Sequence, residues 1–168
     1  MKNSKQKKLT IIFAFSIIAI TLAISFNYRQ NQTTQNVNNT YANYLKSVTD
    51  KSINLTSAYQ DEIAVWNEHQ YSNTTMAKIT EAYLPKFIDQ LVQFENTPAP
   101  AKYVKVKESY IKSFESEIKS YQFFDSYLKT NNSTANKLSN DYLSFALINE
   151  TIARDAYTQA NNNSNNGR

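Results

Sequence analysis

An all-α fold, with an N-terminal transmembrane helix leading into an antiparallel up-and-down four-helix bundle, follows from three features of the chain. From Leu9 to Phe26 runs an uncharged stretch of eighteen residues, preceded by Lys2, Lys5, Lys7 and Lys8. Four later segments repeat their apolar residues at helical intervals, with short polar breaks between them. The only glycine is Gly167, close to the end of the 168 residues. Sheets, hairpins and phosphate loops commonly need glycine for positive φ, so such a chain is poorly suited to them.

As a helix the uncharged stretch spans about 27 Å, at about 1.5 Å per residue, just short of a hydrocarbon core of about 30 Å. Lys8 can snorkel to one headgroup layer and Tyr28 can sit in the other. Four lysines precede the stretch and only Arg29 follows it closely. The positive-inside rule then places the N-terminus in the cytoplasm and everything from Asn27 onward outside. The rival is a cleaved signal peptide, with Ala23-Ile24-Ser25 or Thr21-Leu22-Ala23 as the small-residue site. Signal peptides usually carry an apolar region of about 7–15 residues, so the length here favours an uncleaved anchor. Both readings export the rest of the chain, as a single-pass protein of the cell membrane or as a secreted one.

The expected organisation is a cytoplasmic basic segment (1–8), a transmembrane signal-anchor helix (9–29), a flexible stalk (30–39), an extracytoplasmic helical bundle (40–160) and a disordered tail (161–168). The lipid bilayer is the first expected partner, reached through the stretch from Leu9 to Phe26. Other envelope proteins are the second.

Charge argues against nucleic acid as a partner. The formal net charge is +4, from 18 lysines and arginines against 14 acidic residues. Four of the 18 precede Leu9, leaving 14 against 14 acids, all of which lie beyond Asn27. The basicity therefore belongs to membrane topology, and the exported part is formally neutral. Lys102, Lys105 and Lys107 form the one dense cluster, which reads as a solvated mixed-charge helix face with Glu108, Glu115 and Glu117. No cysteine occurs, which excludes thiol catalysis, cysteine metal sites and acylation on cysteine.

The first helix is expected from Tyr41 to Gln70, with Tyr41, Tyr44, Leu45, Val48, Leu55, Tyr59, Ile63 and Trp66 on one face. The break at Tyr71-Ser72-Asn73 offers an N-cap for the second helix, Thr74 to Glu95. That helix aligns Met76, Ile79, Tyr83, Phe87, Leu91 and Phe94, and Pro85 in its middle should kink it. Asn96-Thr97-Pro98-Ala99-Pro100 ends it and places Pro100 to open the third. The third, Ala101 to Lys129, presents Tyr103, Val106, Tyr110, Phe114, Ile118, Tyr121, Phe124 and Leu128. After Asn131-Asn132-Ser133 the fourth runs from Thr134 to Ala160, with Leu138, Tyr142, Phe145, Ala146, Ile152, Ala153, Ala156 and Tyr157. Similar lengths and short breaks favour antiparallel neighbours. The large apolar residues do not hold strict heptads, which favours a globular bundle over an extended coiled coil.

No arrangement of residues reads as a catalytic or metal centre, so no enzyme activity, cofactor or metal is expected. His69 is the only histidine. Glu62 lies two turns from it and Glu68 projects to another side, so the three do not chelate. No Glu-x-x-His pairs of the di-iron type and no calcium-loop pattern occur. Glu115 and Glu117, two apart on one helix, point in different directions and fail as an acid/base pair.

Tyrosine is the unusual ingredient, with twelve in the chain. The plainer reading is amphipathic core filling, each hydroxyl at the rim or hydrogen-bonded inside. The sharper one is a cavity between helices for a small apolar or sugar-like ligand. Its lining would be Tyr59, Trp66, Tyr83, Phe87, Tyr110, Tyr121 and Tyr142. Asn-x-Ser/Thr sequons at Asn31, Asn38, Asn73, Asn131 and Asn162 fall at the stalk, turns and tail, where glycans could be carried; others begin at Asn54, Asn132 and Asn149.

The segment Thr97-Pro98-Ala99-Pro100-Ala101-Lys102-Tyr103, opening an aromatic-rich helix, resembles single-pass, asparagine-rich helical-bundle surface proteins of archaeal type. The resemblance covers residues 96–130 and brings no catalytic residues to carry over. The expected function is a non-catalytic structural or protein-interaction role at the cell envelope. The alternative is a ligand-binding or sensory ectodomain built on the tyrosine-lined cavity.

Overall fold

The computed structural model describes residues 34–162, so the expected membrane segment, the first part of the stalk and most of the tail lie outside the described residues. Four helices follow one another: α1 (Thr34–Asn67), α2 (Asn73–Glu95), α3 (Val104–Thr130) and α4 (Ser133–Asn162). No strand is present among the described residues, and none of these helices is long and apolar enough to cross a membrane.

The helix ends follow local chemistry. Ser72 caps α2, its Oγ accepting from the Thr75 N–H at 3.1 Å. Pro100 precedes a short 3-10 turn, Ala101–Tyr103, that leads into α3. Asn131 ends α3 in the left-handed region at φ 54°, the conformation that asparagine tolerates better than most residues. His69, past the end of α1, takes the same region at φ 62°, so its place is a turn conformation at an exposed helix end. Two helix bounds differ from those expected. Helix α1 reaches back to Thr34, so residues 34–39, expected as flexible stalk, are helical, and α4 runs on through Asn161 and Asn162. Helix α2 continues through Pro85, whose side is exposed.

Contacts run in opposite directions between consecutive helices. Phe94 meets Tyr110 and Glu81 meets Lys129 across α2 and α3; Ser113 meets Ala146 and Ser120 meets Ser139 across α3 and α4. Helix α1 runs alongside α3 in the same sense, with Tyr41 near Tyr103, Tyr59 near Tyr121 and Trp66 near Phe124.

The closest pair is α3 with α4, and small residues make it so. Ser113 and Ser120 on α3, and Ser139, Ala146 and Ala153 on α4, recur seven residues apart and are buried. Ser113 Oγ donates to the Ala146 carbonyl at 2.9 Å, and Ser120 Oγ to the Ser139 carbonyl at 2.8 Å. Along this seam the seven-residue spacing is thus carried by serine and alanine. It also corrects the inner face expected of α4. Phe145 and Ile152 stand one residue before Ala146 and Ala153, about 100° round the helix, and turn outward. They are 52% and 49% exposed, with Ile148 between them at 55%.

Helix α1 is held differently. Among the described residues its backbone approaches α2, but no Cα of α1 lies within 8 Å of one in α3 or α4. Aromatic side chains bridge the gap. One cluster joins Tyr59, Met76, Phe87, Tyr121, Phe124 and Leu128; the other joins Tyr41, Leu45, Phe94, Tyr103, Val106 and Ala153.

Replacing Ser120 with leucine should destabilise the protein by about 1–3 kcal/mol, because the seam has no room for the added methylenes. Replacing it with alanine should cost about 1 kcal/mol, the lost hydrogen bond. Urea unfolding of both variants checks the order. The Tyr41 hydroxyl is buried without a hydrogen-bond partner. Tyr41→Phe should therefore be neutral or stabilising in the same measurement, since it removes a desolvated group that receives no compensation.

Candidate functional site

Between the two apolar clusters the inner face of α1 becomes polar. Thr49, Ser52 and Thr56 replace the large residues found above and below them. With Ile53 they form one wall of a groove whose other wall is Leu143, Ala146, Leu147 and Glu150 of α4. Tyr110, Ser113, Phe114 and Glu117 of α3 form its floor. The groove encloses a cavity of about 40 Å³, partly open to solvent. At roughly 10–15 Å³ per water, that is room for a few waters or one small functional group.

Glu117 is the central polar residue. Its Oε1 accepts from Thr56 Oγ1 at 2.9 Å and from the Tyr121 hydroxyl at 2.7 Å. Both donors belong to buried residues, so the carboxyl end lies inside although the residue as a whole is half-buried. Burial pushes the carboxyl above its ordinary range, and the two hydrogen bonds pull it only partly back. Burial also raises Glu150, which Arg154 opposes and the Glu117 charge reinforces. Arg154 Nε lies 3.7 Å from Glu150 Oε1. Tyr121 is raised strongly by burial and by the adjoining Glu117 charge, and Tyr110 is raised by burial above all.

The seven aromatic residues singled out from the sequence fall in three places. Tyr59, Tyr83, Phe87 and Tyr121 come together, with ring centroids 5.1 Å apart for Tyr59–Tyr83, 4.7 Å for Tyr59–Tyr121 and 4.9 Å for Phe87–Tyr121. Trp66 packs edge-on against Phe124 in the same apolar cluster, and its Nε1 donates to Asn73. Tyr110 alone of the seven lines the groove. Tyr142 lies apart, stacked on Phe123 with Lys119 above its ring. Two of the buried hydroxyls find partners: Tyr59 pairs with Thr80 at 2.7 Å, and Tyr103 donates to Asn161 at 3.0 Å. Burial pushes the Tyr103 phenol up to about 12.

The sequons are spread along the helices and turns. Asn73, Asn131 and Asn162 are exposed, Asn38 is half-buried on α1, and Asn31 lies outside the described residues. The lysine cluster is partly structural: Lys107 Nζ donates to the carbonyls of Glu95 and Thr97, both at 2.6 Å, at the end of α2. Among the described residues, no three His, Cys, Asp or Glu side chains gather closely enough to hold a metal ion.

Sequence reasoning missed the pairing of Glu117 with Glu150. Glu117 was weighed only against Glu115 in its own segment and Glu150 was not considered, whereas the groove joins the two from different helices. A signal was available. Glu117 falls between Phe114 and Tyr121 on the inward stripe of α3, and Glu150 between Ala146 and Ala153 on that of α4, so each is an acid where an apolar residue is expected. The chain matches no protein-family model, no curated protein and no solved structure.

A carboxyl raised in the folded state binds its proton more tightly there than in the unfolded chain. Between the ordinary value of 4.5 and the raised one the folded state holds more protons, so stability should fall as pH rises through that window. Glu117→Gln keeps an acceptor for Thr56 and Tyr121 and removes the titration. Urea midpoints measured from pH 4 to pH 8 should therefore decline less steeply for E117Q than for the unaltered chain, the remaining slope belonging to groups such as Glu150.

Proposed function

We propose that this chain is a membrane-tethered helical bundle with a non-catalytic structural or interaction role at the cell envelope. The observation that carries this reading is how the interior is used. Most of the aromatic side chains singled out as a cavity wall are packed on one another, with Tyr59 and Tyr121 almost wholly buried. The interior is therefore devoted to holding four helices together. The outward stripe of Phe145, Ile148 and Ile152 supplies apolar contact surface on a helix otherwise faced with polar groups. The tether is the stretch from Leu9 to Phe26, with the N-terminus cytoplasmic and the bundle outside. The resemblance to single-pass archaeal surface proteins agrees with this placement.

A second reading, a ligand-binding ectodomain, is favoured by one observation: the groove between α1 and α4 brings two acids and several hydroxyls to one small cavity. The position differs from the tyrosine-walled cavity expected from the sequence, since Tyr110 is the only member shared.

Native membranes should retain the chain after a salt wash, and mass spectrometry of the extracted protein should find the N-terminus uncleaved. Recovery in the soluble cytosolic fraction would overturn the tether. Changing Phe145, Ile148 and Ile152 together to serine should leave stability within about 0.5 kcal/mol per site, as for exposed positions. It should also reduce cross-linking of the bundle to neighbouring envelope proteins; unchanged cross-linking would remove the stripe from the interaction surface.

A further inference from the structure

Two glutamates share the groove with one cation nearby. Glu150 meets Arg154 at 3.7 Å, near the limit for an ion pair, and the arginine side chain is 33% exposed. Among the described residues Glu117 meets hydroxyl groups, from Thr56 and Tyr121, and no cation. When both acids are ionised, the groove holds two negative charges against one positive. A carboxylate so placed takes up a proton or attracts a cation, because burial without a countercharge is costly.

The rest of the lining selects the kind of cation. Calcium calls for about 6–8 oxygen ligands, and magnesium for near-ideal octahedral geometry with one or two carboxylates and several retained waters. Two carboxylates, one already facing an arginine, in a cavity with room for only a few waters, do not meet that demand. A primary ammonium group needs less: three N–H donors satisfied by a carboxylate and hydroxyls, with apolar surface for the carbon attached to it. Thr49 and Ser52 stand with Thr56 on the α1 wall, and Leu143 and Leu147 stand on the other. The rings of Tyr110 and Phe114, 6.2 Å apart, add faces that attract a cation.

We propose that the groove between α1 and α4 binds a primary alkylammonium group, held by the Glu117 carboxylate and the wall hydroxyls, with its carbon chain against Phe114, Leu143 and Leu147. This assignment rests on the ligand-binding reading above. The same head group occurs on free amines and on lysine side chains. The small cavity admits the head and the first carbons, and the open side of the groove leaves room for the remainder.

The test titrates the full chain in detergent micelles at pH 7 with propylammonium and with its neutral isostere 1-propanol, followed by NMR. Propylammonium should bind saturably and at least tenfold more tightly than 1-propanol. E117Q should weaken it at least tenfold, and Glu115→Gln, on the exposed face of the same helix, should leave it unchanged. A third arm uses Nα-acetyl-lysine amide: tighter binding than propylammonium identifies a lysine side chain as the natural source, and weaker binding a free amine. Equal binding of 1-propanol, or unchanged binding by E117Q, overturns the ammonium assignment while leaving a ligand groove. Absence of saturable binding by either probe overturns both.

If E117Q does not fold, the unaltered chain still decides the matter. Propylammonium binding should weaken progressively as pH is lowered from 7 to 4 and Glu117 takes its proton. The titratable and charged groups about it are Tyr110 and Tyr121 on α3, Glu150 and Arg154 on α4, and Tyr59 on α1, and only the two acids change charge in that range. Binding that is independent of pH overturns the assignment.

Discussion

The close approach of α3 to α4, through Ser113, Ser120, Ser139, Ala146 and Ala153, is the constraint from which the rest of the bundle takes its position. Two helices can come this near only where side chains are short, and the serine hydroxyls lose little by burial because carbonyls of the facing helix accept their protons. The long side chains of α3 must then point elsewhere, toward α1 and α2. Their bulk keeps the α1 backbone away from α3 and α4, so the bundle is tight on one side and wider on another. The orientation of α4 is a further consequence: with its alanines committed to the seam, Phe145, Ile148 and Ile152 are left facing outward.

The wider side is stabilised in an uneven way. At either end aromatic rings span the distance, in offset and edge-on pairs that add to the effect of burial. Between those ends α1 offers threonine and serine, which are too short to cross, and a small cavity remains. The Glu117 carboxyl lies on its floor and is tied to α1 through Thr56. That bond is an interior polar link between helices whose backbones do not approach one another. The polar groove and the apolar clusters are therefore products of one circumstance, the distance at which α1 is held.

Much of this was legible along the chain. Glycine-poor composition, helical periodicity and the proline-rich break define four helices, and Ser72, Pro100 and Asn131 act at their ends for reasons visible in their side chains or rings. The inward stripes of α1, α2 and α3 were equally readable, because large apolar residues at helical spacing have few alternatives to burial. The stripe of α4 was not. Alanine and serine carry a weak hydrophobic signal, so Phe145 and Ile152 outweighed Ala146 and Ala153 in any pattern based on size. Nor was the groove legible, since a pair of acids 33 residues apart (150 − 117) has no meaning until two helices are laid side by side.

The amino-acid order alone therefore determined which segments coil and where they stop, since those depend on bonds within a few residues: turn-forming asparagine, capping serine, proline without its N–H, and the 3.6-residue repeat. It also determined the charge balance of the chain, which is simple addition. Packing decided which face of α4 is inside, how far α1 stands from its partners, and that Glu117 and Glu150 border one cavity. Those depend on distances between surfaces, and such distances are set by the volumes of side chains that meet only after the helices have formed.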